Sequence, residues 1–209
     1  MTAVSAMILA GGRSSRMGQD KALISLGGER LIQRTCGVAL ACAEEVYVVT
    51  PWPERYRPLV PEAVQFILEA ADSTDAPAGG RGPLLAVSYG VGALPRCPDW
   101  LLVLACDMPN LRVPVLQAWQ ADLAALPPNI NAYLPQRQGR WEPLCGFYRA
   151  AALLTIGSGL AAGLKGPSFQ RWLGQTEVAS MPRVPEEMLA NLNNPEDLAT
   201  WQRSRKAEI

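Results

Sequence analysis

The stretch from Met7 to Lys21, Met-Ile-Leu-Ala-Gly-Gly-Arg-Ser-Ser-Arg-Met-Gly-Gln-Asp-Lys, restricts the choice of fold more than any other part of the chain. Its lead-in, Val4 to Ala10, is short, uncharged and largely apolar, which predicts a strand buried on both faces. Gly11 and Gly12 follow at once. Lacking a Cβ, they let the backbone turn sharply and bring bare N–H groups close to a ligand. Arg13, Arg16 and Lys21 then add fixed positive charge. A buried strand feeding a glycine loop and a set of cations suits a polyphosphate. The spacing is not that of a GxxxxGK[ST] loop, because Gly12 and Gly18 stand too far apart and Ala22 follows the lysine; adjacent glycines also exclude GxGxxG.

The chemistry available to this chain is narrowed by what it lacks. There is no histidine among its 209 residues. That removes the commonest general base, Ser-His triads and most zinc sites. Catalysis must then rest on carboxylates, cations and a hard metal. The five cysteines, Cys36, Cys42, Cys97, Cys106 and Cys145, form no CxxC pair and read as reduced thiols of a cytoplasmic protein. Nineteen basic residues balance nineteen acidic ones, so a non-specific nucleic-acid binder is not expected. No apolar run reaches membrane length, and the N-terminus lacks a basic segment and a cleavage-type site, so neither a membrane span nor a signal peptide is expected.

Apolar positions at helical spacing predict a helix from Glu29 to Cys42, after a turn at Gly27-Gly28. Val46–Thr50 and Gln65–Glu69 predict the second and third strands. Ala70 to Gly82, with Asp72, Asp75 and three glycines, is long for a connection, and such loops are often functional. Pro83 fits the first turn of a helix reaching Leu94, weakened at Gly90 and Gly92 by ~1 kcal/mol each. Trp100–Ala105 predicts a fourth buried strand, closed by Cys106-Asp107-Met108-Pro109. Leu116, Trp119, Leu123 and Leu126 mark a helix. Ala132–Pro135 and Trp141–Tyr148 predict a hairpin around Gln138-Gly139. A helix from Ala150 to Leu164, broken at Gly157 and Gly159, a short helix at Phe169–Leu173 and a strand at Glu177–Met181 follow. Asn194 can cap a last helix with Pro195 at its first position and acids in its first turn, running to Lys206.

Strands alternating with helices, and no internal repeat or linker, predict one α/β domain over residues 1–209: a doubly wound, Rossmann-like unit with a mostly parallel sheet and a late antiparallel hairpin. Ligands in such sheets bind beyond the carboxyl ends of the strands. Gly11-Gly12, the 70–82 loop and Asp107 would lie there. Asp107 reads either as a turn aspartate or as a metal ligand. Magnesium takes one or two carboxylates, several waters and substrate phosphates, and a single aspartate facing a cationic loop fits that arrangement.

The pattern L-A-G-G-x-S-x-R-M-G-x-D-K resembles the nucleotidyltransferases that activate small molecules with NTPs. With R-G-P-L at Arg81–Leu84, C-D-x-P at Cys106–Pro109, Glu142-Pro143-Leu144 and the Asn191-Leu192-Asn193-Asn194-Pro195-Glu196-Asp197-Leu198 ending, the chain resembles the molybdenum cofactor guanylyltransferase family of the MobA type. The resemblance implies that Leu9, Ala10, Gly11 and Gly12 cradle GTP, that Lys21 binds its phosphates, and that Asp107 holds Mg²⁺ and the nucleotide. It places Gly82 at the base pocket and Asn191 and Asn193 near the pterin, although both asparagines also fit a helix start. Arg16 joins the phosphate partners on charge grounds. Two positions depart from the family: Thr50 stands where asparagine is common, and the aspartate expected after the third strand is displaced, so the nucleoside contact falls to Asp72. Glu142 reads equally as an exposed hairpin residue.

The implied reaction joins GMP from GTP to the terminal phosphate of molybdopterin, or its molybdenum form, with release of pyrophosphate. Molybdenum-insertion and acceptor enzymes would be its neighbours. The other readings that the residues allow are a cytidylyltransferase or sugar-phosphate nucleotidyltransferase of the same fold, and a nucleotide-binding protein without catalysis.

Overall fold

The computed structural model describes residues 2–11, 18–69, 82–160 and 168–206. The chain opens with β1 (Val4–Leu9) and, beyond the glycine loop, a 3₁₀ turn at Lys21–Leu23. A small hairpin, β2 (Ser25–Leu26) and β3 (Glu29–Arg30), leads into α1 (Leu31–Leu40) and β4 (Glu45–Thr50). Next come α2 (Pro53–Tyr56), β5 (Val64–Leu68), α3 (Pro83–Gly92), β6 (Trp100–Ala105) and α4 (Val113–Asp122). The later half holds β7 (Ala132–Leu134), β8 (Gln136–Arg137), β9 (Arg140–Trp141) and β10 (Cys145–Arg149). It ends with α5 (Ala150–Leu160), α6 (Phe169–Leu173), β11 (Val178–Ser180) and α7 (Pro195–Lys206).

The main sheet has seven strands in the order β11-β7-β10-β6-β1-β4-β5. β1 pairs in parallel with β4 and β6, β4 with β5, and β7 with β11, whereas β10 runs antiparallel to both of its neighbours. The mostly parallel α/β architecture expected from the sequence is therefore the one observed. Its continuous apolar runs have a direct cause, because both faces are covered. Trp100, Leu102 and Leu104 of β6 enter the core shared with Leu31, Ile32 and Cys36 of α1. Leu101 and Val103 enter the opposite core with Leu84 and Val87 of α3.

Several predicted elements shift for identifiable reasons. α1 starts at Leu31 rather than Glu29, because Glu29 and Arg30 pair with Leu26 and Ser25 across a turn in which Gly27 and Gly28 have φ of 62° and 89°. Gly90 does not act as a helix weakness. A Cβ there would lie 2.6 Å from Met7 Cε, so the missing side chain lets α3 settle on β1. α5 continues through Gly157 and Gly159 as far as Leu160 instead of breaking. The predicted late strand Trp141–Tyr148 divides into β9 and β10 around Pro143, which has no N–H to give a ladder. The hairpin turn itself is as expected: Gln138 and Gly139 have φ of 51° and 74°, the twist that suits a two-residue connection. All five cysteines are free thiols. Among the described residues, no helix is long and apolar enough to cross a membrane.

Candidate active site at the carboxyl edge of the sheet

The ends of β1, β4, β5 and β6 are tied together by backbone bonds. Ala10 N donates to Val49 O at 3.1 Å, Cys106 N to Leu9 O at 3.4 Å, and Glu69 N to Thr50 O at 2.9 Å. Thr50, fully buried, completes the join. Its hydroxyl donates to Ala10 O at 2.8 Å and accepts from Trp52 N at 3.1 Å, fixing the root of the glycine loop. The threonine at this unusual position thus has a structural task. Gly11 is small for a reason: a Cβ there would stand 2.5 Å from Glu69 Oε2 and 3.1 Å from Pro51 Cδ. Glu69 therefore lays a carboxylate over the start of the loop.

Lys21 is aimed by its predecessor. Asp20 caps the 3₁₀ turn by accepting from Ala22 N at 3.1 Å, and it also accepts from the Tyr56 hydroxyl at 2.6 Å and Arg55 Nη1 at 2.9 Å. Burial, and then the Asp20 carboxylate, push the Tyr56 hydroxyl above its ordinary range, so it remains a proton donor. Held from α2 in this way, Lys21 sends Nζ to Asp107 Oδ2 and to Asn193 Oδ1, each at 2.9 Å. Three residues singled out in the sequence thus meet at one ammonium group.

The third of these arrives from far along the chain. Leu192, itself buried, donates its N–H to Asp107 O at 2.9 Å, which lays residues 191–193 beside the end of β6. Asp197 Oδ2 accepts from Asn193 N at 2.7 Å and Asn194 N at 3.1 Å, while Asn194 Oδ1 accepts from Asp197 N at 2.9 Å. This reciprocal cap is the helix start read in the sequence, and it presents Asn193 to Lys21. Trp201 Nε1 donates to Asn110 Oδ1 at 2.8 Å, locking α7 to the segment after β6. Asn191 Oδ1 is buried and has no hydrogen-bond partner among the described residues.

Leu9, Ala10 and Gly11 lie at the end of β1, next to the strand that delivers Asp107. Gly82, with φ of 84°, is the N-cap of α3 and accepts from Leu85 N and Ala86 N. Gly12, Arg13, Arg16 and Asp72 lie outside the described residues. Glu69 is the carboxylate found beside Gly11; as the first polar residue after β5, it stands where a sheet-edge ligand residue belongs. Tyr56 and Glu69 belong to no motif named above; Asp20 is the aspartate that precedes Lys21 in the glycine-loop pattern, which gave it no role of its own. Burial disfavours the thiolate at three buried cysteines: it pushes Cys36 up to about 12 and Cys42 to about 11, and raises Cys106 well above its usual value.

The oxygen donors gathered here suit a hard cation. They are the Asp107 carboxylate and the Asn193 amide oxygen, which share the Lys21 ammonium. No group of three His, Cys, Asp or Glu among the described residues could hold a metal alone.

A mostly parallel sheet with Gly11 at the end of β1 and a lysine–aspartate pair at the β6 edge is what an NTP transferase would need to hold a triphosphate. The model of the MobA-like NTP transferase domain matches residues 6–178, and the chain belongs to that family. It is 46% identical over 202 residues to the probable molybdenum cofactor guanylyltransferase of Trichormus variabilis, covering 97% of this chain and 92% of that one. It is 45% identical over 202 residues to the protein of the same description from Nostoc sp., with the same coverage. In fold it is similar to the molybdopterin-guanine dinucleotide biosynthesis protein A of Archaeoglobus fulgidus, with a TM-score of 0.72 at 19% identity over 97% of this chain and 99% of that one.

Proposed function

We propose that the chain transfers GMP from GTP to the terminal phosphate of molybdopterin, or of its molybdenum form, with release of pyrophosphate, in the cytoplasm. The observation that carries this reading is the meeting of Lys21, Asp107 and Asn193 at one point, where donor loop, strand end and C-terminal segment converge. The similarity to proteins described as molybdenum cofactor guanylyltransferases supplies the substrates.

In this reaction an oxygen of the acceptor phosphate forms a bond to the α-phosphorus of GTP. The bond from that phosphorus to the bridging oxygen breaks, and pyrophosphate leaves with the electron pair. The nucleophile is already an anion, so no general base is needed, which accords with a chain that has no histidine. What the protein must supply is alignment and charge neutralisation. The backbone of Leu9 to Gly12 would receive the triphosphate, with Lys21 and Arg16 as its cations. Asp107 would hold Mg²⁺, which when bound neutralises phosphate oxygens as charge moves onto the leaving group. On binding of the substrates Lys21 would exchange part of its contact with Asp107 for phosphate. Asn191 and Asn193 would face the pterin, and Gly82 would shape the base pocket. Glu69, over Gly11, would be a second carboxylate for the nucleoside contact beside Asp72.

The test is pyrophosphate release by the purified chain from GTP and molybdopterin with Mg²⁺ present. Turnover with GTP and little with CTP, UTP or ATP is expected. Equal turnover with CTP would make the chain a cytidylyltransferase, and GTP binding without turnover would make it a binding protein. Omission of Mg²⁺ should stop the reaction; undiminished turnover in chelator would remove the metal from Asp107.

A further inference from the structure

A short charged arm beside Asp107 is left unused by the groups above. β8 and β9 form a two-stranded hairpin in which Arg137 pairs directly with Arg140. Directly opposed residues of such a pair share one face, and like charges there are unfavourable unless something compensates them. Both arginines are exposed. Arg137 leans inward: its Nη1 donates to Leu189 O at 3.4 Å, two residues before Asn191. Gln170 Nε2 donates to Trp141 O at 2.8 Å and anchors the base of the arm.

Beneath the arm lies Glu142. β10 pairs with β6 with Cys145 opposite Leu104, and Ala105 N donates to Leu144 O at 2.8 Å. Past the end of that ladder Glu142 lies near enough to Asp107 for their charges to interact. Its N–H donates to Pro135 O at 3.0 Å, and the side chain is partly buried. The carboxylate accepts from Leu144 N and feels the charges of both Arg137 and Asp107. The line Arg137–Glu142–Asp107 thus runs from the arm to the reaction centre on the β10 side. β5, which leads into Glu69 beside Gly11, is four strands from β10, or roughly 19 Å at ~4.8 Å per strand.

We propose that Arg137, aimed by Glu142 and the Leu189 carbonyl and backed by the charge of Arg140, receives the phosphate monoester of the acceptor. This rests on the reading of the chain as a transferase to a phosphate acceptor. That reaction brings two anions together, and Lys21 serves the GTP side. A guanidinium on the opposite side offers a planar pair of donors to the incoming phosphate. Arg137 is then a substrate-binding residue and Glu142 a positioning residue.

The experiment compares wild type with Arg137→Gln, Glu142→Gln and Arg137→Lys in the full chain, varying GTP and molybdopterin separately. Arg137→Gln is expected to raise the KM for the acceptor about tenfold or more while the KM for GTP and the thermal shift induced by GTP stay within twofold. Glu142→Gln should move the acceptor KM the same way by about threefold, and Arg137→Lys should recover only part of the loss. Inorganic phosphate, as a probe, should inhibit wild type competitively against the acceptor, and Arg137→Gln should lose that inhibition. An unchanged acceptor KM, or an equal rise in both KM values, overturns the proposal. If the wild type uses a phosphate-monoester acceptor other than molybdopterin, the substrate reading fails; a selective rise in that acceptor's KM in Arg137→Gln would still support this one.

Discussion

The carboxyl edge of the sheet is built in two different ways on its two sides. On the β1–β4–β5 side all strands are parallel, and the polar groups near the loop mostly serve the backbone: Thr50 binds Ala10 and Trp52, and Asp20 caps the turn that carries Lys21. On the β6–β10 side one strand is reversed, and the candidate side chains come from three separate stretches, at Asp107, at 137–142 and at 191–197. The first side is a local device, a strand and the loop that follows it. The second exists only once the chain has folded. A phosphate cradle needs mainly backbone N–H groups and a few cations, which one continuous segment can supply. Recognition of a second, differently shaped substrate needs side chains converging from several directions.

The seam between the sides is the place to break this division. Asp107→Ala removes the carboxylate proposed to hold Mg²⁺ and one partner of Lys21, so both sides should suffer. Loss of several kcal/mol of charge stabilisation corresponds to a fall in kcat of roughly a thousandfold or more. Pyrophosphate release checks it, and near-normal turnover would take Asp107 out of the reaction. Lys21→Ala should fall next, by about a hundredfold in kcat/KM for GTP, as expected for loss of one cation at developing charge. The KM for GTP should rise and kcat should fall together. A larger effect on the acceptor KM would mean that Lys21 belongs with its Asn193 partner instead.

Thr50→Val sharpens the comparison at lower cost. It leaves Ala10 O and Trp52 N without their buried partner, worth about 1–3 kcal/mol of stability. For a chain of this size that is a Tm lower by roughly 2–12 °C. Loosening the loop root should weaken the thermal shift with GTP but leave the acceptor KM alone. An unchanged Tm would show that the hydroxyl is dispensable.

The same contrast explains how much the sequence revealed. Trp100–Ala105, Phe169–Leu173 and Pro195–Lys206 were legible to the residue, because apolar runs, spacing and caps act over a few positions. Lys21, Asp107 and Asn193 could be singled out one at a time, but nothing local says that one ammonium binds two of them across 172 positions of chain. The role of Thr50 was hidden because its partner sits 40 residues away. The arm was legible as a turn, since Gln138-Gly139 is a local signal. Its position next to the 186–189 segment follows from the insertion of β10 between β6 and β7, which pairing across the sheet decides.

The smallest expected effect tests the electrostatics of the acceptor side alone. Burial raises the Glu142 carboxyl above its ordinary value of 4.5; Arg137 and the Leu144 N–H oppose the shift, and Asp107 adds to it. Cys145 and Tyr148, the other titratable groups of β10 coupled to it, are held neutral by burial. In the window between the ordinary and the raised value, the folded chain holds more protons at this site than the unfolded chain does. Its contribution to stability is therefore present at the acid end and is lost as pH rises through the window. Glu142→Gln should flatten that part of the Tm-against-pH curve. Arg137→Gln, by removing the opposing charge, should steepen it and extend it to higher pH. A curve that both variants leave unchanged would place the carboxylate outside the field of the arm, and the two sides of the edge would then be less distinct than the geometry makes them.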